Sequence, residues 1–171
     1  MLDIYTLGDE VLREECKDIT EFGDALKMLS DAMVETLDEA DGVGLAGPQV
    51  GVPQKIFVVH IRGEKPLVFV NPVIAETSIE TGVYEEGCLS IPGVYHDVVR
   101  PLAVTIQAQD TDGKHFTIKA DGLLARVIQH ENDHLHGKLY IDHLPEGERE
   151  KVLKAYEKKN KARRRQKKAK V

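Results

Sequence analysis

His130-Glu131-Asn132-Asp133-His134 sets two imidazoles four residues apart, with an acid beside the first. On a helix, four residues at ~100° each return the second ring to within ~40° of the first, one turn along, so both can grip a single metal ion. Glu131 then lies beside that ion rather than on it, suited to take a proton from a water that the ion activates. The bland alternative is two helical histidines by chance. Val127 and Leu123 share their stripe, however, and on a stripe that faces the core two uncompensated histidines next to an acid are costly. Metal binding is therefore the expected reading.

A catalytic divalent site takes three protein ligands and leaves one position open. Gly137 follows His134 by three, as in the extended H-E-x-x-H-x-x-G-x-x-H pattern, but Tyr140 stands where the last histidine belongs. Two donors remain for the third place. Glu150 would complete a His, His, Glu set and make the chain an HExxH zinc endopeptidase, although it sits in a highly charged segment where a solvated glutamate is the default. Cys88, in Glu86-Gly87-Cys88-Leu89-Ser90, is the other; a free cysteine is by default a small core hydrophobe, but this one adjoins Gly87 and an Ile91-Pro92-Gly93 turn near a strand end.

The elements around these residues follow from periodicity. Leu26, Leu29, Met33, Leu37 and Ala40 recur at spacings of three and four and predict a helix over 21–41, stopped by Gly42. The segment Gly42-Val43-Gly44-Leu45-Ala46-Gly47-Pro48-Gln49 has too many glycines for helix or strand and predicts a shaped loop. Lys55 to Ile61 and Leu67 to Val70 read as strands. The runs Val98 to Gln109 and Phe116 to Ala120 flank an Asp112-Gly113 hairpin turn. From Gly122 the period is helical again through His134 and Leu135, closing at Gly137. Strands and helices in separate blocks predict an α+β fold. Val152, Leu153 and Tyr156 give a short apolar stripe on a charged C-terminal helix, after which the Lys/Arg run is expected to fray.

With 171 residues, 42% hydrophobic and 30% charged, one domain with its own core is expected, and no apolar run approaches the ~18 residues of a membrane span. The N-terminus has no basic and apolar leader, and Cys16 and Cys88 suggest no disulfide framework, so a reducing cytoplasm is expected. The net charge of −6 conceals an asymmetry. Residues 151–171 hold eleven Lys or Arg against one acid, which leaves twelve against twenty-eight in residues 1–150. Such a tail fits either a solvated helix or a contact with nucleic acid. A non-catalytic metal- or RNA-binding protein is the rival from another class.

Three segments, in order and spacing, resemble the peptide deformylase family: the glycine-rich G-x-G-x-A-A-x-Q loop at Gly42 to Gln49, E-G-C-L-S at Glu86 to Ser90, and Q-H-E-x-D-H at Gln129 to His134. The first departs at Gly47, where a second alanine is usual; the others are intact. The resemblance extends to Leu7-Gly8-Asp9 through Arg13 and to Leu135 through Leu144, so it covers roughly the first 145 residues. It implies a catalytic domain over 1–145, with 146–171 as a basic C-terminal helix or tail of the same domain. The implied architecture is antiparallel β-sheets packed around a central metal-binding helix, with an N-terminal and a C-terminal helix.

For chemistry, the resemblance implies Cys88, His130 and His134 as metal ligands and Glu131 as general base and then acid. The Leu89 N–H and the Gln49 amide would donate to the oxyanion formed when the formyl group of an N-formylmethionyl peptide is hydrolysed. Val43, Gly44 and Gly87 would offer backbone groups to the extended peptide, and Leu123 and Val127 would line the methionine pocket. Mixed thiolate and imidazole ligation suits Zn2+ and accepts Ni2+, Co2+ or Fe2+; the resemblance favours Fe2+. It also implies that the basic tail meets the ribosome. Gly42, Gly44 and Gly47 also spell G-x-G-x-x-G, but a helix precedes them and a strand follows, the reverse of a dinucleotide site, so no nucleotide cofactor is expected. Glu86 is read as a structural ion pair with Arg100. His60, His96, His115, His136 and His143 match no motif position.

Overall fold

The computed structural model describes residues 1–169; Lys170 and Val171, the end of the basic tail, lie outside them. Leu26, Met33 and Leu37 are buried on one face of α1 (Asp24–Glu39), as their spacing predicts. The helix stops before Gly42: Ala40 caps it, and Asp41 takes the left-handed turn, with a φ of 57° that aspartate tolerates.

Five strands, β1 (Gly44–Ala46), β2 (Ile56–Val59), β3 (Leu67–Thr77), β6 (Ala103–Gln109) and β7 (His115–Asp121), form one antiparallel sheet in the order β1-β2-β3-β6-β7. The run Ile56-Phe57-Val58-Val59 is apolar throughout because both faces of β2 are covered. Ile56 and Val58 pack with Leu26, Met33 and Leu37 of α1, whereas Phe57 and Val59 pack with Ala125 and Ile128 of α2 (Gly122–His134). Phe57 and Phe69 stack with centroids 4.7 Å apart beneath α2. The expected hairpin at Asp112-Gly113 joins β6 to β7, with Asp110 Oδ1 accepting from the Asp112 and Lys114 N–H groups.

A second sheet, the hairpin of β4 (Thr81–Cys88) and β5 (Ile91–Pro101), was not legible as such. The run Val98 to Gln109 divides at Leu102 between two sheets, and Ile91-Pro92-Gly93 opens β5 instead of forming the turn, which falls at Leu89-Ser90. Two segments depart further from expectation. Gly44-Leu45-Ala46 pairs with β2 as an edge strand, followed by a 3₁₀ turn at Gly47–Val50, so the glycine-rich segment is only partly loop. The basic tail continues as α3 (Glu146–Ala169) where fraying was expected; Val152 and Tyr156 are buried against Ile91, Val94 and Val98 of β5 and Tyr140 and Ile141 of a 3₁₀ turn. The α+β architecture, with antiparallel sheets around α2 and a helix toward each end, is as expected.

Gly47 is required by close approach. A Cβ there would lie 2.6 Å from the Val52 carbonyl oxygen and 2.8 Å from that of Gln54, so only backbone movement could admit the alanine usual in the resembling motif. Gly47→Ala is therefore expected to lower stability by ~1–3 kcal/mol; an unchanged melting temperature contradicts this.

Arg13 ties the N-terminal segment to the chain beyond α2. Its Nη1 donates to Asp142 Oδ2 at 2.6 Å and to the Gly137 carbonyl at 3.1 Å, and the Leu139 N–H donates to the same carboxylate at 2.9 Å. Burial alone would raise the Asp142 carboxyl; the bonds from Arg13 and Leu139 outweigh it and hold it below the usual range. A carboxyl depressed on folding stabilises the protein above its unfolded pKa, and that contribution is lost as pH falls through its folded pKa. Asp142→Asn is thus expected to be less stable near neutrality by on the order of 1 kcal/mol. It should also lose stability less steeply below about pH 4, and identical acid limbs in urea titrations of the two proteins contradict this.

Candidate metal centre

α2 carries both histidines of the His130-Glu131-Asn132-Asp133-His134 segment on its inner face, with ring centroids 5.2 Å apart and both side chains buried. Cys88 ends β4, just after a register shift at Gly87. Its Sγ lies 3.5 Å from His134 Nε2, and one ligand atom from each of Cys88, His130 and His134 falls within 4.8 Å of the others. Glu150 is exposed on α3 and takes no part in this cluster, so the His, His, Glu alternative has no site among the described residues. Tyr140, where a third histidine would extend the motif, instead stacks on the His130 ring at 6.1 Å.

The surroundings fit a cation. Glu86 Oε1 lies 2.8 Å from His130 Nδ1, which places the proton on Nδ1 and leaves Nε2 free to ligate. Glu86 is itself buried, and accepts from Arg100 Nε at 2.7 Å and Nη2 at 3.1 Å and from Arg126 Nη1 at 2.9 Å. Burial would raise its carboxyl, but the bonds from His130 and Arg100 outweigh that and keep it far below the usual carboxylate range. Burial disfavours charge on both imidazoles. At His130 the nearby Glu131, Cys88 and Glu86 outweigh burial and raise the pKa; at His134 burial, reinforced by His130, lowers it well below the usual value. A thiol and two imidazoles converging on one point are a donor set that suits a divalent ion. His134 Nδ1 is buried without a hydrogen-bond partner.

Glu131 is buried beside His130, with Oε2 3.9 Å from His130 Nε2 and Oε1 unpartnered. Burial pushes its carboxyl up to about 7, against the pull of His130, which is the range in which a carboxyl can both take and return a proton near neutrality. Gly44 makes room for it: a Cβ there would lie 2.5 Å from Glu131 Oε2 and 2.7 Å from Val127 Cγ1.

These groups lie at a cleft of about 460 Å³ lined by Val43, Gly44, Gln49, Gly87, Cys88, Leu89, Leu123, Val127, His130 and Glu131, with His134 beneath them. Gln49 is buried; its Oε1 accepts from the Ala46 N–H at 2.9 Å, and its Nε2 donates to Ser90 Oγ at 3.1 Å and points to Cys88 Sγ at 3.5 Å. It therefore caps its loop and also faces the metal centre. Val127 is buried at the cleft, whereas Leu123, expected on the core-facing stripe, is 39% exposed. In antiparallel pairing alternate residues turn their N–H and C=O to opposite sides. The Val43 carbonyl accepts from the His60 N–H at 2.9 Å, so it is engaged by the sheet, while Gly44 turns its polar groups to the open edge.

The ion pair of Glu86 with Arg100 is present as read from sequence, but its contacts with His130 and Arg126 were missed. Arg126 precedes His130 by four, so the same helical spacing that aligns the histidines places its guanidinium below them. Arg100 also donates to Asp133 Oδ2 at 2.9 Å, which His143 Nε2 meets at 2.7 Å. His60, His96, His136 and His143 each pair with a carboxylate, and His115 is exposed. Cys16 is buried in the main core and burial pushes its thiol up to about 12, so it is an inert packing residue.

The family model described as polypeptide deformylase matches residues 1–150. The peptide deformylase of Borreliella burgdorferi is 48% identical over 156 residues, covering 91% of this chain and 94% of its own length; that of Agrobacterium fabrum is 45% identical over 159 residues, covering 91% and 94%. Among solved structures, a peptide deformylase from Legionella pneumophila superposes with a TM-score of 0.91 at 40% identity, covering 96% of this chain and 98% of its own. One from Synechococcus elongatus, in complex with actinonin, gives 0.87 at 42% identity, covering 93% and 88%. Sequence and fold therefore agree over nearly the whole chain, which belongs to the peptide deformylase family.

Proposed function

We propose that the chain hydrolyses the formyl group from N-formylmethionyl nascent peptides, giving formate and a free α-amine. The observation that carries this reading is the convergence of Cys88, His130 and His134 within 4.8 Å beside the buried, high-pKa carboxyl of Glu131. A divalent ion bound there supplies Lewis acidity, which lowers the pKa of water and polarises a carbonyl. Glu131 takes a proton from the attacking water and delivers it to the amine nitrogen as the C–N bond breaks. Gln49 Nε2 and the Leu89 N–H donate to the oxyanion between those steps. Glu86 holds the proton on His130 Nδ1, which leaves Nε2 available to hold an ion.

The formylmethionyl residue enters with its side chain between Val127 and Leu123. Its backbone runs along the open edge at Gly44, opposite Gly87, in the manner of strand addition; Val43 contributes its side of the wall, its carbonyl being engaged by His60. The resemblance to the family favours Fe2+ as the native ion, and the mixed thiolate and imidazole set accepts Zn2+, Ni2+ or Co2+ as well. Residues 1–145 hold the catalytic machinery, and 146–171 complete the same domain, as the packing of Val152 and Tyr156 on β5 supports. The eleven Lys and Arg of residues 151–171 suit contact with ribosomal RNA, and the enzyme works in the cytoplasm where nascent chains emerge.

Formate release from formyl-Met-Ala-Ser by Fe2+- or Ni2+-loaded protein tests the reaction. Glu131→Gln is expected to lower kcat by ~10²–10⁴ with metal content retained; no formate from metal-replete wild type sinks the proposal. For the tail, removal of residues 164–171 is expected to weaken co-sedimentation with ribosomes and to reduce its salt dependence, with turnover of the small peptide unchanged. Sedimentation equal to that of the full chain removes the ribosomal role.

A further inference from the structure

The basic helix touches the cleft itself. One wall of the cleft includes Pro92, Gly93 and Tyr95, and Lys159 Nζ of α3 donates to the Gly93 carbonyl. A Cβ on Gly93 would lie 3.2 Å from Lys159 Cδ and 3.7 Å from Arg163 Nη2. Lys159 and Arg163 are one helical turn apart and share a face, both are exposed, and neither forms an ion pair among the described residues. Within the cleft, Glu86 and Arg126 neutralise each other and Glu131 is buried, which leaves Asp41 and Glu85 as the remaining lining carboxylates. Two unpaired cations therefore stand at the Gly93 wall of an otherwise acidic body, and they concentrate positive potential there.

Resting on the deformylase reading above, we infer that Lys159 and Arg163 form a downstream subsite that favours peptides with acidic side chains two or three residues after the formylmethionine. A peptide laid along the Gly44 edge passes between that edge and the Gly93 wall, and its later residues reach the two cations. The carboxylate gains an exposed, salt-screened ion pair, so the selection is modest and graded.

The test compares C-terminally amidated formyl-Met-Ala-Asp-Asp and formyl-Met-Ala-Asn-Asn, which match in shape and carry no terminal carboxylate. With metal-loaded wild type at low salt, kcat/KM is expected to favour the Asp peptide by about two- to fivefold, the size of exposed ion pairs, and the ratio should approach one at high salt. Arg163→Glu keeps the Lys159 bond to Gly93, and so the shape of the wall, yet should abolish the preference; Lys159→Glu with Arg163→Glu should invert it. Equal kcat/KM for the two peptides in wild type, or a preference that survives Arg163→Glu, overturns the inference while leaving the reaction intact. Failure to turn over either peptide overturns the reaction and the subsite together.

Discussion

The buried carboxylate of Glu86 is the fixed point of this molecule. A charge removed from water persists only where partners surround it, and removing one partner from a buried pair typically costs ~3–5 kcal/mol. Here the partners come from β5 (Arg100) and from α2 (Arg126 and His130), while Glu86 itself is on β4. A shift of the helix relative to the hairpin would strand that charge. Cys88 rides on the hairpin two residues beyond Glu86, and His130 and His134 ride on the helix, so the interaction that satisfies the charge also sets the distance between thiol and imidazoles. An apolar cluster of the same volume could hold the elements together as strongly, but it would not fix the tautomer of His130.

Around that point the cleft is shaped by what has been left out. Gly44 carries no side chain where Glu131 and Val127 come close, and Gly87 carries none where the Tyr95 ring lies 2.5 Å from the Cβ position. Both glycines let backbone approach a site whose acid is held near its neutral form by burial. Burial that raises one carboxyl, beside a carboxylate kept ionised by the bonds from His130 and Arg100, separates the protonation of Glu131 and Glu86 by environment alone.

Much of this was written in local sequence pattern. The spacing of His130 and His134, the stripe Leu26, Leu29, Met33 and Leu37, and the Asp112-Gly113 turn each encode one element through a period or a dipeptide, and each element formed as read. What local pattern could not carry was pairing between distant segments. Val98 to Gln109 is one β-branched run in sequence, yet it spans two sheets, because its division at Leu102 is decided by which partners β5 and β6 find. Gly44 to Ala46 becomes a strand only through β2, and Val152 and Tyr156 anchor α3 because they have a surface on β5 to cover. Arg126 was legible in principle, four residues before His130, but a charged residue on a buried stripe declares its purpose only when its counter-charge is known. Cys88 was the weakest reading by composition and became definite only with its neighbours in space.

The edge formed by Gly44, Leu45 and Ala46 has a consequence for how newly made protein behaves. A three-residue edge followed at once by the 3₁₀ turn at Gly47–Val50 exposes too little unpaired backbone to template the stacking of further chains, in the way that short margins generally guard sheets against association. A longer open margin beside the cleft would be a hazard in a crowded cell, since an unfolded segment could pair along it. Brevity of this margin keeps the β1 side of the sheet from serving as a template on which further chains could stack.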